Sequence, residues 1–377
     1  MGNLRTLTSE ARIDLSDAPS IREPSPDEFY RSLLAKTNSM IYVTLLGRTS
    51  SKPPALLLQG TTPQMITILG AGGVIANEVV KLLSARKEPF RLVARHARPL
   101  SGATEMISAD LSDKDQTIRA VAGSSIVYLL VGLKYDHKLW AEMWPRIMAN
   151  TIEACKVSGA KLIFFDNVYM YGKVRGTMTE ETPFNPCSKK GEVRAKIATS
   201  LINEWKAGAL TAMIARAADF HGPETPNALP NVLVFEPFAK NQKASWFANG
   251  SVPHSYTYTP DAARSLVTLA DSESAWNQMW HVATSPNPPT GKEFIVMAAK
   301  ELGVAPRYRV LSRPMVRLIG WFNPQVGEVY EMLYQNESPY LFDSTKIERA
   351  FSFSGTPYAE GIRATAASFQ KAALSAK

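Results

Sequence analysis

The chain has 377 residues, 45% of them apolar and 20% charged, which is ample for a buried core and excludes disorder for its bulk. Its two cysteines, Cys155 and Cys187, exclude a disulfide framework or a thiolate zinc cluster. The formal charge of +8 would suit nucleic acid, yet no basic run exceeds two residues, as at Lys189-Lys190, so no nucleic-acid partner is expected.

Residues 1–64 carry Ser/Thr/Pro clusters at 16–26 and 49–54 and read as a poorly ordered N-terminal extension. Met65, just before the first strong strand, is an alternative start. No window of about 18 apolar residues exists and no apolar segment follows a basic start, so neither a membrane nor a secretory role is expected and the cytoplasm is the default.

From residue 65 short β-branched runs alternate with helical patterns. The runs at 65–69, 91–94, 105–108, 125–131, 161–165 and 211–215 predict strands. Helices are predicted between them at 74–84, 114–121, 138–158 and 189–207. This alternation predicts an α/β fold, a Rossmann-type doubly wound parallel sheet, over residues 65–222. A helix at 260–269 and a short strand at 279–283 complete that sheet from within a smaller C-terminal substrate-binding region, 223–377, which otherwise reads as helices and loops.

The segment Leu69-Gly70-Ala71-Gly72-Gly73-Val74-Ile75-Ala76 joins a strand to a helix through glycines. Free N–H groups and the positive helix end converge there, where a pyrophosphate fits. Gly70 allows the tight turn, Gly73 the approach of phosphate, and Ala76 the packing of helix on strand. At the end of the second strand stand Ala94-Arg95-His96-Ala97-Arg98, with no carboxylate for ribose hydroxyls, so NADP(H) is favoured over NAD(H). Asp110 closes the third strand, where a carboxylate can accept from adenine.

In these segments the sequence resembles the extended and atypical short-chain dehydrogenases/reductases, the NAD-dependent epimerase/dehydratase group. The resemblance covers about residues 65–350. Gly70 to Ala76 is similar to that family's glycine loop, Asp110-Leu111 to its adenine-binding pair, and Asn150…Glu153-Ala154-Cys155 to its fourth helix. Phe165-Asp166-Asn167-Val168-Tyr169-Met170-Tyr171-Gly172 is similar to the segment bearing its catalytic Ser or Thr, and Arg216…His221-Gly222-Pro223 to its Arg…Tyr-Gly-Pro stretch. The resemblance implies a nicotinamide cofactor held by Gly70, Gly72, Gly73, Val74, Ile75, Arg95, Asp110, Leu111, Val131 and Gly132. It also implies hydride transfer at a hydroxyl or carbonyl carbon of a small-molecule substrate contacted by Arg216 and His221.

The departures bear on catalysis. Asn167 stands where the family has Ser or Thr, and an amide cannot share a proton as a hydroxyl does. The expected Tyr-x-x-x-Lys after Pro186 is replaced by Cys187-Ser188-Lys189-Lys190-Gly191-Glu192. Tyr169 or Tyr171 could supply the missing acid, the alternative being that both rings pack the loop; Lys173, Lys189 or Lys190 could supply positive charge. Five scattered histidines predict no metal site. Trp140 and Trp144 predict either core packing or, with helices 138–158 and 189–207, a homodimer contact. Two readings stand: an oxidoreductase or epimerase with an atypical active site, or an NADP(H)-binding sensor or interaction protein that has lost catalysis.

Overall fold

In the structure, a computed structural model, residues 65–96 and 102–375 are described; the proposed extension 1–64 and Arg98 lie outside the described residues. The chain runs β1 (Met65–Leu69), α1 (Val74–Arg86), β2 (Phe90–Ala94), β3 (Glu105–Ser108), α2 (Lys114–Val121), β4 (Ser124–Leu129), α3 (His137–Ser158) and β5 (Lys161–Asp166). After a short β6 (Thr177–Met178) come α4 (Lys189–Lys206), β7 (Ala212–Arg216) and β8 (Asp219–His221). The rest comprises α5 (Glu236–Ala239), β9 (Ala244–Phe247), β10 (Tyr256–Tyr258), α6 (Thr259–Ala270), β11 (Met279–His281), α7 (Gly291–Leu302), β12 (Tyr308–Leu311), α8 (Arg313–Phe322), α9 (Pro324–Tyr330), α10 (Tyr334–Glu337), β13 (Leu341–Phe342), α11 (Thr345–Phe351) and α12 (Tyr358–Ser375).

Seven of these strands form one sheet in the order β11-β7-β5-β4-β1-β2-β3, and every pairing in it is parallel. Successive residues face opposite sides. Ile66, Ile68 and Tyr128 pack with Val79 and Leu83 of α1 and Leu266 of α6. Leu69, Val127 and Leu129 pack with Trp144 and Ile152 of α3 and Leu201 of α4. The doubly wound sheet foreseen from the alternation is therefore present, with β11 as its seventh strand. β4 stops at Leu129, short of 131; the Leu130 N–H still donates to the Leu69 carbonyl at 2.8 Å, and the backbone of Leu130 and Val131 then runs against Gly70. The C-terminal region holds strands as well as helices: β9 pairs with β12 within it, and its β10 and β13 pair with the earlier β8 and β6, each as a two-stranded parallel sheet. The core around β9 and β10 includes Phe235, Phe238, Trp246, Phe294 and Ile362.

Two buried histidines give the fold a predictable response to acid. His221 and His281 are both pushed down to about 3, chiefly by burial, so the folded form keeps them neutral while the unfolded chain protonates near 6.5. Their contribution is complete above that value and is lost as pH falls below it, by about 1.4 kcal/mol per pH unit for each histidine. Glu180 and Asp261, pushed up by burial, oppose this near the carboxylate range. Thermal unfolding should show the melting temperature nearly level from pH 7.5 to 6.5 and falling from there to pH 5, with a shallower fall for His221→Phe; an unchanged slope in that variant would show that His221 does not contribute.

Candidate active site

The sheet order reverses at β1: the chain proceeds to β2 and β3 on one side and to β4 on the other. Loops diverging from such a point leave a crevice at the carboxyl ends of the strands. The turn after β1 lies there. Gly70 has φ +103, and a Cβ on it would stand 2.8 Å from backbone atoms of Leu130 and Val131. The Gly70 and Ala71 N–H groups donate to the Val93 carbonyl at 2.9 and 3.0 Å, tying this turn to β2 as well.

α1 then begins at Gly73 with no side-chain cap and no acidic residue in its first turn, so the positive helix end is left for an external anion. Above Gly72, with φ +87, and above Gly132 a Cβ would find nothing within 4 Å. Thus Gly70, Gly72, Gly73, Val74, Ile75, Val131 and Gly132 gather at one mouth, a set that fits the pyrophosphate of a dinucleotide. Arg95 is exposed just beyond β2. The Asp110 carboxylate accepts from the Ser112 N–H and hydroxyl at 2.9 and 2.8 Å, and the Asn150 amide on α3 donates to the Leu111 carbonyl at 2.9 Å, which fixes the turn after β3.

Beyond β5 the backbone turns sharply. The Asn167 side-chain oxygen accepts from the Tyr169 N–H at 3.0 Å, so its carbonyl builds the turn and its NH2 group is the end left for a ligand. The Tyr169 ring stacks on Trp140 at 6.2 Å and its hydroxyl lies 3.5 Å from that of Tyr135. Burial holds the Tyr169 hydroxyl well above the usual phenol range. A Cβ at Gly191 would come 2.6 Å from the Tyr169 carbonyl oxygen, so α4 can approach this turn only with glycine at that position.

Tyr171 has a different setting. It is buried; its hydroxyl accepts from Arg216 Nη1 at 3.1 Å and meets His281 Nε2 at 3.0 Å. Arg216, foreseen as a substrate contact, is wholly buried and 3.7 Å from Asp166. Asp166 also lies 2.7 Å from Arg194 Nε, and the Arg194 guanidinium sits over the rings of Trp140, Trp144 and Phe164. Arg194, Asp166, Arg216, Tyr171 and His281 thus form one enclosed polar chain. His221, foreseen as facing the pocket, is instead enclosed by Tyr258, Phe294 and Tyr358, with no partner for Nδ1 among the described residues. Side chains from α7 and α12 cover it. Trp140 and Trp144 are both buried within the chain.

Sequence reasoning missed the setting of Lys190. Its side chain is 0% exposed and ion-paired to Glu328 and, at 2.7 Å, to Glu331; its ammonium lies 4.4 Å from the Tyr135 ring centre. Lys190 and Arg194 are separated by one helical turn, the spacing of the absent Tyr-x-x-x-Lys, and that spacing was the available signal. Glu328 also accepts from the His137 N–H and ring at 2.9 and 2.7 Å. Among the described residues Asp136, His137 and Glu328 are the one grouping with metal-ligand geometry, but Asp136 caps α3 and Lys190 neutralises Glu328. A surface hollow of about 930 Å³ lies elsewhere, bordered by Pro253, Pro288, Thr290 and Met297. Its ionisable lining is Lys292 and Glu293, the latter engaged in capping α7, so the crevice is the better candidate.

A family model described as the NAD dependent epimerase/dehydratase family matches residues 66–283. The chain is 24% identical over 309 residues to 3beta-hydroxysteroid-dehydrogenase/decarboxylase isoform 2 of Arabidopsis thaliana, covering 71% of this chain and 52% of that protein. It is 22% identical over 271 residues to 3-diazoavenalumate denitrifying reductase of a Streptomyces species, covering 68% and 88%. The chain therefore spans about half the length of the first of these relatives. Among solved structures, UDP-glucose 4-epimerase of Thermus thermophilus in complex with NAD aligns with a TM-score of 0.67 at 18% identity, over 82% of this chain and 100% of that one. At that identity the likeness is one of fold.

Proposed function

The chain belongs to the NAD dependent epimerase/dehydratase family, and on that premise we propose that it is an NAD(P)(H)-dependent oxidoreductase or epimerase acting at a hydroxyl or carbonyl carbon, with an active site that works without the usual Tyr-x-x-x-Lys. The observation that carries this reading is the uncapped, glycine-led start of α1 at the reversal of the sheet. When bound, the nicotinamide supplies the hydride acceptor or donor. The N–H groups at the start of α1 hold its phosphates. Arg95, exposed beside the crevice, favours a 2′-phosphate and hence NADP(H).

The remaining work falls to side chains around the turn after β5. The Asn167 amide orients the substrate oxygen. Tyr169 moves the proton; burial keeps its hydroxyl protonated at neutral pH, which suits donation to a developing alkoxide. Tyr135 lies within reach to exchange that proton, and Lys190 holds a positive charge against its ring. Tyr171 is committed to Arg216 and His281 and serves to position the loop. A second reading, a dinucleotide-binding sensor or interaction protein without catalysis, draws support from Lys190, which lies in the stretch that lacks the tyrosine and is neutralised by two carboxylates.

Fluorescence titration with NADPH and NADH, followed by turnover on a panel of alcohols and ketones, tests the reading. NADPH is expected to bind at least ten times tighter than NADH, a margin of about 1.4 kcal/mol, and Arg95→Ala to erase that margin. Tyr169→Phe is expected to lower kcat roughly a hundredfold with NADPH affinity unchanged. Tyr171→Phe should leave kcat within a few-fold while lowering the melting temperature. Binding without turnover on any substrate would favour the sensor; failure to bind either dinucleotide would overturn both readings.

A further inference from the structure

Among the described residues, α8 of the α8–α9 hairpin has no partner on its apolar side. Among its side chains Val316 is buried, whereas Met315, Leu318 and Ile319 are exposed, as are Trp321 at 72% and Phe322 at 83%. The two helices meet at glycines, and a Cβ on Gly320 would stand 2.9 Å from the Gly327 Cα. With α9 occupying that side, the large residues are turned outward. Exposed apolar side chains this concentrated mark an interaction surface rather than ordinary surface scatter.

Charge identifies the occupant. Residues 302–327 contain Arg307, Arg309, Arg313 and Arg317 and no aspartate or glutamate. All four arginines are exposed; among the described residues Arg313 alone of the four is paired to a carboxylate, that of Glu337 at 2.6 Å. Val310, exposed on β12, extends the apolar area. A two-fold contact with a second copy would set these arginines against one another. An anionic lipid surface satisfies both components at once, taking the aromatic and aliphatic side chains into the acyl boundary and the guanidinium groups among the headgroups. No described helix is long and apolar enough to cross a membrane, so attachment would be peripheral.

We infer that α8, with the arginines of 307–317, docks the protein on an anionic lipid surface. α9 carries Glu328 to Lys190 and His137, and Glu331 follows it to Lys190; a docked bilayer would therefore lie one helix away from the crevice. The inference departs from the expectation of no membrane association. That expectation rested on the lack of a spanning segment, which does not bear on a ten-residue surface helix.

Flotation of the full-length protein with phosphatidylcholine vesicles, with or without about 30 mol% phosphatidylserine, tests the inference. Binding is expected to the serine-containing vesicles in 50 mM salt and to fall on the order of a hundredfold for the double variant Leu318→Glu/Trp321→Glu. Arg309→Gln/Arg317→Gln should lower it roughly tenfold. The NADPH-induced rise in melting temperature, measured on each variant, should stay that of the parent; it reports on the fold and the dinucleotide site separately from docking. Absence of flotation, equal binding to neutral vesicles, or equal binding by the glutamate variant would each overturn the inference. So would a dimer in solution that the glutamate variant disperses without any vesicle binding by the parent.

Discussion

Gly70→Ala is expected to cost about 2–4 kcal/mol of stability and to abolish NADPH binding. Two independent obstacles act together. The backbone at Gly70 has φ +103, a region that side-chain-bearing residues rarely adopt, and the added Cβ meets the Leu130 carbonyl carbon and the Val131 N and Cα at 2.8 Å. These are main-chain atoms of the neighbouring loop, so no rotamer change relieves the contact. The displaced turn would carry Gly73 with it, because the Gly73 N–H donates to the Gly70 carbonyl at 3.3 Å and Gly73 accepts from Asn77 at 2.9 Å.

Gly72→Ala provides the internal comparison. A Cβ there meets nothing within 4 Å, so the strain of its φ, about 1 kcal/mol, is the main penalty. The methyl would nevertheless project into the space assigned to the pyrophosphate. Thermal unfolding with and without NADPH should therefore find Gly72→Ala folded but unresponsive and Gly70→Ala destabilised as well. A parental melting temperature for Gly70→Ala would mean that the β1 and β4 loops part easily and that the close approach is unimportant.

Asp166→Asn should be at least as damaging to stability, at about 3–5 kcal/mol, although it leaves the volume unchanged. Arg194 and Arg216 are both buried, and Asp166 is the carboxylate beside each of them. Removing its charge leaves two guanidinium groups in a poorly solvated interior. Burial already depresses the Arg194 pKa against the pull of Asp166. Arg194 Nη1 and Arg216 Nη2 have no hydrogen-bond partner among the described residues, so the cluster has little capacity to redistribute the loss. Urea unfolding of Asp166→Asn, and of the same change combined with Arg216→Met, measures this; the second substitution should recover a substantial part of the loss. Additive losses would show that the two groups are not coupled.

What could be read in the sequence was what neighbouring residues decide. The strands of the sheet are short apolar runs between turn signals, and the glycine loop is recognisable because turn, helix start and small residues are contiguous. The second half of the site depends on partners far apart in the chain. Lys190 meets Glu328 and Glu331 across 138 and 141 positions, so a residue that reads as a solvated lysine is buried and paired. His221 is enclosed by residues from α7 and α12. The apolar face of α8 reads, by spacing alone, like any helix turned toward a core; only the placement of α9 through Gly320 and Gly327 reveals which side is covered.

The late position of β11 governs how the chain can be made. β7, complete at Arg216, accepts its outer neighbour only when residues 279–281 arrive. A ribosome therefore exposes Ala-Met-Ile-Ala-Arg as a half-paired ladder while more than sixty further residues emerge. All five side chains are buried in the finished sheet, and an apolar edge of this kind recruits other strands. The vulnerable period in biosynthesis thus belongs to the interval between β7 and β11, long after the nucleotide-facing half of the sheet has every strand it needs.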